Sequence, residues 1–254
     1  MAGTGRIQSL ERAIMILKCF SEEDKELKLT DISERLGLNK STVHGIITTL
    51  KYYGIIEQNE ENQKYKLGLY LMELGNLVQN SIDVTSIAAP IINRVCLELE
   101  ETVHLGKLEN TDIVYIEKKE STQSMRIFTS IGARNPAYCT AVGKAMLAFK
   151  DKSELMQRIP EVLEKFNPNT ISDKEVLLEE LETIRKTGIA IDNEEKILGL
   201  TCVAAPVFDS NGNANYGISV SGPTIRMDKE KIDKAKKIVS EAAKEISLKL
   251  GYKE

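Results

Sequence analysis

Apolar residues recur at Ile7, Leu10, Ile14 and Leu17, the spacing of three and four that lines one face of a helix, and the pattern predicts a helix ending near Phe20. The charged stretch 21–28 reads as a loop. Thr30 is placed to cap a short helix carrying Ile32 and Leu36, with Gly37 stopping it in a left-handed conformation. Asn39 is the expected cap of the next helix, residues 40–53, in which Val43, Ile47 and Leu50 form one stripe. Lys40, Ser41, His44, Thr48 and Lys51 fall mostly off that stripe. After Gly54 the period shortens, and 55–57 and 64–67 read as strands of a hairpin joined by the polar loop 58–63. Two short helices meeting at a glycine-containing turn, then a hairpin, is the element order of a winged helix-turn-helix. Helical spacing returns at Leu71, Leu74 and Val78.

The expected division is a DNA-binding domain over 1–68, a linker helix over 69–83 and a second domain over 84–254. In the second domain the pattern predicts a helix over 84–100, with a bend at Pro90, then strands over 102–108, 113–117 and 125–129. Residues 132–136 read as irregular, followed by helices over 141–149, 153–158 and 173–186, the last stopped by Gly188. Strands resume at 189–191, 201–208 and 216–221, and a long helix over 228–250 closes the chain. Strands in runs, with helices grouped between and around them, predict an α+β fold on an antiparallel sheet and exclude a βαβ repeat.

Composition fits a folded, soluble chain: 42% of its 254 residues are apolar and 28% charged. Cys19, Cys96, Cys139 and Cys202 are scattered, with no metal-ligand spacing, so reduced thiols in a bacterial-type cytoplasm and no metal or cofactor are expected. Glu11 and Arg12 interrupt the N-terminal apolar pattern, so neither a signal peptide nor a membrane span is expected. A net charge of −4 does not advertise nucleic-acid binding, yet a sum over the chain leaves room for a local basic face.

A helix entering the major groove needs short polar side chains near its N-terminus and an apolar back. Lys40, Ser41, Thr42 and His44 meet the first need, with Thr48 further along, and Val43, Ile47 and Leu50 the second. Lys64 and Lys66 alternate onto one hairpin face, where they would reach a flanking phosphate. Each of these taken alone is equally a solvated surface residue. Winged helices also serve as protein-binding modules, and Glu60 and Glu61 at the wing tip would repel phosphate, so the wing ranks below the helix.

The chain resembles the IclR (isocitrate lyase regulator) family of bacterial transcription factors along nearly its whole length. The first domain carries the resemblance in Ser9-Leu10-Glu11-Arg12-Ala13, in Leu36-Gly37-Leu38-Asn39-Lys40-Ser41-Thr42-Val43-His44 and in Tyr65-Lys66-Leu67-Gly68. The second carries Gly132-Ala133-Arg134-Asn135-Pro136, Thr140-Ala141-Val142-Gly143-Lys144-Ala145, Asp192-Asn193-Glu194-Glu195 and Ser219-Val220-Ser221-Gly222-Pro223. The resemblance implies a GAF-like effector-binding domain, a homodimer or dimer of dimers, and binding to palindromic double-stranded operators. Similar proteins usually carry Arg after the recognition-helix His; here Gly45 removes that cation and weakens the helix by about 1 kcal/mol. Either the operator differs there or Lys40 or Lys51 supplies the charge.

The resemblance further implies an effector pocket formed by Asn135, Ala141 and Val142 with Asp192, Cys202, Ser219 and Ser221. Amides at the start of a helix through Ala141 and Val142 favour an anion, so a small carboxylate is the expected effector and a catabolic operon the expected target. Read as residues alone, Ser219 and Ser221 would equally satisfy backbone groups, Asp192 would cap a turn and Cys202 would pack as core. Asn135 stands where similar proteins place an apolar residue. His104 points opposite to Val103, either towards the cavity or into a satisfied core or surface position. An enzyme built on Cys139 or Cys202 is the competing class, but nothing is spaced to activate either thiol, and a regulator that is not an enzyme is expected.

Overall fold

The computed structural model describes residues 7–21, 23–81, 83–124 and 129–253. The chain divides into two compact units, Met1–Ile82 and Asp83–Glu254.

The first unit runs α1 (Gln8–Leu17), α2 (Leu29–Leu36), α3 (Lys40–Tyr52), β1 (Ile56–Gln58), β2 (Tyr65–Leu67) and α4 (Tyr70–Ser81). Its core is Ile16, Leu27, Ile32, Val43, Ile47, Leu50, Ile56 and Tyr65. The stripe read for α1 needs correction. Ile16, Ala13 and Leu17 face the core, whereas Ile7, Leu10, Ile14 and Met15 are exposed. Apolar residues at both 14 and 16 put hydrophobic surface on two sides of one helix, and spacing alone does not say which side a domain covers. Thr30 also departs from expectation, because α2 begins two residues earlier, at Leu29. Lys28 holds the cap position, and its backbone N–H donates to the Asp31 carboxylate at 3.0 Å. Gly37 ends α2 at φ 61°, in the left-handed region where a side chain is strained. Asn39 holds the cap position of α3 in extended conformation, without a side-chain capping bond.

The second unit contains α5 (Val84–Leu99), β3 (Thr102–Glu109), β4 (Asp112–Lys119), β5 (Arg134–Pro136), α6 (Ala141–Leu147), α7 (Lys152–Arg158), α8 (Lys174–Thr187), β6 (Ala190–Asn193), β7 (Leu200–Val207), β8 (Tyr216–Pro223) and α9 (Lys229–Lys249). Its strands form one antiparallel sheet in the order β5-β4-β3-β8-β7-β6. Residues 134–136, read as irregular, form the edge strand, which hides from pattern analysis because it is three residues long and ends in Pro136. Residues 125–128 of the strand expected at 125–129 lie outside the described residues. Pro90 sits inside the continuous helix α5.

The period of two sorts the sheet into two faces. Val103, Leu105, Val203, Ala205, Ile218 and Val220 pack with Ile91, Val95, Val239 and Ile246 of α5 and α9. On the opposite face Ile113, Tyr115, Cys202 and Ala204 pack with Ala145 and Met146 of α6 and Leu177 and Leu181 of α8. The polar residues His104, Ser219 and Ser221 alternate with the first set and are themselves buried. A buried polar row on a sheet face is costly unless something meets it, and it marks where the second face stops being core.

Candidate functional site

In the first unit, α3 turns Val43, Ile47 and Leu50 inward and leaves Lys40, Ser41, His44, Gly45 and Thr48 exposed, with Thr42 half-buried. Ser41, His44, Gly45 and Thr48 follow the three-and-four spacing of one helix face. The helix contains no carboxylate, so its outward face presents only neutral and basic groups. The Thr48 hydroxyl donates to the backbone carbonyl of His44 at 2.8 Å, so an outside partner would use its oxygen as acceptor or its methyl group. A methyl placed on Gly45 would meet nothing within 4 Å, and packing therefore does not require glycine there. Lys51 donates to Gln58 at 3.0 Å and ties α3 to β1, which leaves Lys40 as the better placed cation at the helix start. On the hairpin, Lys66 pairs with Glu57 at 3.4 Å, Lys64 is half-buried, and Glu60 and Glu61 sit exposed at the tip. Tyr52 and Tyr53, exposed and edge-to-face at 5.1 Å, close the same helix; their apolar character hid them from a search for polar contacts.

In the second unit, Asn135, Ala141, Val142, Asp192, Cys202, Ser219 and Ser221 all line one recess. Sheet register brings most of them together. Asp192 lies beside Cys202, Cys202 beside Ser221, and Ser219 beside His104. Helix α6 lines the recess through Ala141 and Val142, and two sheet positions facing Val142 are glycines that leave it room. A methyl on Gly217 would lie 2.9 Å from Val142 Cγ2, and one on Gly106 would lie 3.1 Å from the same atom.

Burial sets the charge states inside. Asp192 accepts the Glu195 N–H at 2.7 Å, yet desolvation dominates and raises its carboxyl to about 7. It therefore caps a turn and lines the recess at once. His104 is held neutral, its pKa lowered to about 3 by burial, with the Lys118 ammonium adding to the shift. Its Nε2 lies 2.6 Å from Thr129 Oγ1, its ring packs against Tyr115 at 4.7 Å between centroids, and its Nδ1 has no partner among the described residues. Burial likewise raises the Tyr115 phenol and the Cys202 thiol, and lifts Cys139 to about 12. Both thiols stay protonated at neutral pH, which works against the competing cysteine-enzyme reading. Lys196 supplies a cation at the recess, its Nζ 3.0 Å from the centre of the Phe166 ring.

Behind the lining, Lys144 of α6 is almost fully buried, with Nζ 2.5 Å from Glu195 and 3.3 Å from Glu180. Glu195 in turn donates its N–H to Asp192, so a buried ion pair stands one residue from the recess. Sequence reasoning quoted Lys144 only within a motif and missed this role, since a lysine at helical spacing carries no mark of burial. Tyr115, Thr129 and Lys196 were missed as lining residues for a related reason: each depends on a tertiary approach between strands or loops.

The family described as bacterial transcriptional regulator IclR, C-terminal, matches residues 77–248, and the IclR helix-turn-helix domain matches 9–60. The chain is 38% identical over 247 residues to the HTH-type transcriptional regulator XynR of Escherichia coli K12, across 97% of this chain and 98% of that protein. It is 37% identical to the HTH-type transcriptional regulator KdgR of the same organism, across 97% and 94%. The crystal structure of Thermotoga maritima IclR matches with a TM-score of 0.65 at 34% identity, across 97% of this chain and 100% of that one.

Proposed function

The chain belongs to the IclR family of bacterial transcriptional regulators, and from that premise we propose how its parts divide the work of a DNA-binding regulator. Residues 1–68 bind the operator, 69–83 form a linker helix and 84–254 bind the effector. Lys40, Ser41, Thr42 and His44 enter the major groove, with Thr48 behind them, while Lys64 and Lys66 touch flanking backbone. The recess takes a small carboxylate. Asn135 and the Ala141 and Val142 amides meet it at the α6 end, Lys196 supplies charge, and Asp192, Cys202, Ser219 and Ser221 line the sheet side. The observation that carries this reading is the convergence of all seven effector positions on one recess, with hydrogen-bonding groups along its wall and Lys196 as a cation among the described lining residues.

Two chains pair to present two recognition helices to a palindrome, and the exposed Ile7, Leu10 and Ile14 offer the apolar surface for it. No helix among the described residues is long and apolar enough to cross a membrane, consistent with action in the cytoplasm. The effector binds one arrangement of the paired C-terminal units better, and α4 carries that bias to the recognition helices. The target is a catabolic operon. Fluorescence anisotropy on the chain's own upstream DNA tests the whole reading: small keto, hydroxy and aromatic acids are added in turn, and at least one is expected to change operator affinity fivefold or more. Equal affinity for upstream and random DNA would remove the regulator's specificity.

A further inference from the structure

Among the described residues lining the effector recess, His104 carries a buried side-chain nitrogen without a hydrogen-bond partner. His104 is fully buried, Thr129 Oγ1 holds its Nε2 at 2.6 Å and Tyr115 packs on its face, so the ring's orientation is set from two sides. Among the described residues Nδ1 has no partner, while the ring lines the recess beside Ser219. Buried nitrogen without a partner is uncommon in native folds and calls for a function or a missing group.

We propose that His104 is a specificity-determining residue of the effector site, and that its Nδ1 hydrogen-bonds a hydroxyl group carried by the ligand, making the effector a hydroxylated carboxylic acid. This rests on the recess being the effector site. The choice of hydroxyl follows from the ring. If Nε2–H donates to Thr129, Nδ1 is an acceptor and needs a donor; if Thr129 donates to Nε2, Nδ1–H is a donor and needs an acceptor. A carboxylate only accepts and an ammonium only donates, whereas a hydroxyl answers either tautomer. Ser219 and Ser221 stand next to the same spot, and Asp192 completes a wall of groups that both donate and accept when its carboxyl is protonated. An acid of the same length without a hydroxyl would leave Nδ1 unanswered.

The test compares acids matched in chain length, gluconate against hexanoate and lactate against propionate, by thermal shift and by operator anisotropy on the full chain. The hydroxylated member of at least one pair is expected to stabilise the protein, with its deoxy partner at least about tenfold weaker. His104→Phe keeps the ring volume and is expected to erase that preference; His104→Asn, whose amide reaches the Nδ1 position, is expected to restore part of it. Hexanoate and propionate each binding as well as its hydroxylated partner overturns the proposal, as does an unchanged preference in His104→Phe or a failure of both hydroxy acids to bind. If a deoxy acid alone releases the operator, the regulatory reading stands and the role of His104 falls. If a hydroxy acid binds through His104 without moving operator affinity, the role of His104 stands and the regulatory reading falls.

Discussion

Asp192 and His104 are buried in the same recess and pull the protein's acid–base behaviour in opposite directions. Asp192 has a folded pKa of about 7 against 3.8 for the free side chain. Between those values the native state keeps a proton that the unfolded chain releases, so this group lowers stability as pH rises through the interval. His104 has a folded pKa of about 3 against 6.5. Between those values the unfolded chain takes up a proton that the native state refuses, so this group lowers stability as pH falls. From about pH 4 to 6.5 the two slopes oppose and largely cancel. Asp192→Asn, whose amide oxygen still accepts the Glu195 N–H, is expected to leave stability rising with pH by up to about 1.4 kcal/mol per unit. His104→Phe is expected to leave it falling by a similar amount. Denaturant melts of the three proteins across this range check both signs, and parallel curves would remove the burial argument. At Gly45 the structure leaves open space, so Gly45→Ala is expected to stabilise α3 by about 0.5–1 kcal/mol in a thermal melt. Lower operator affinity in that variant would place the cost of the glycine on the DNA side.

Among the elements, α3 was legible to within a residue, predicted over 40–53 and observed over Lys40–Tyr52, because its apolar stripe is uninterrupted and a left-handed glycine stands before it. Strands β7 and β8 were legible for the opposite reason, as apolar runs bounded by the polar loop between them. Of the recess, the residues that a family motif carries were found. Tyr115, Thr129 and Lys196 were not, because each arrives from an element whose own pattern is unremarkable and meets the others only through sheet register or loop path. The same limit hid which side of α1 faces inward. A prediction belongs to the start of α3. Lys40→Ala is expected to weaken binding to operator and random DNA alike and to reduce the slope of log affinity against log salt by about 1. His44→Ala is expected to cost about 1–3 kcal/mol on the operator with little change on random DNA. Anisotropy titrations at several salt concentrations separate the two patterns.

At the scale of the whole molecule, the net charge of −4 conceals how the DNA-facing surface is made. In the proposed reading, attraction to phosphate comes from a helix free of carboxylates, supported by a wing on which Lys66 is paired with Glu57. If two chains pair as proposed, two half-sites multiply a modest local affinity. Leu10→Glu with Ile14→Glu places charge on the exposed side of α1 while leaving Ile16 in its core. The double variant is expected to fold, to sediment as a smaller species and to lose tenfold or more of its operator affinity. Unchanged sedimentation would move the pairing surface elsewhere. The chain's two histidines fall one in each unit, His44 on the exposed face of α3 and His104 in the recess. Imidazole ring protons resonate in an uncrowded window of a magnetic-resonance spectrum, so this protein arrives with one native label at each end of its signal path. Operator contact would perturb the first and ligand the second. A compound that moves both lines at once would display the coupling directly, without a dye, a tag or a mutation.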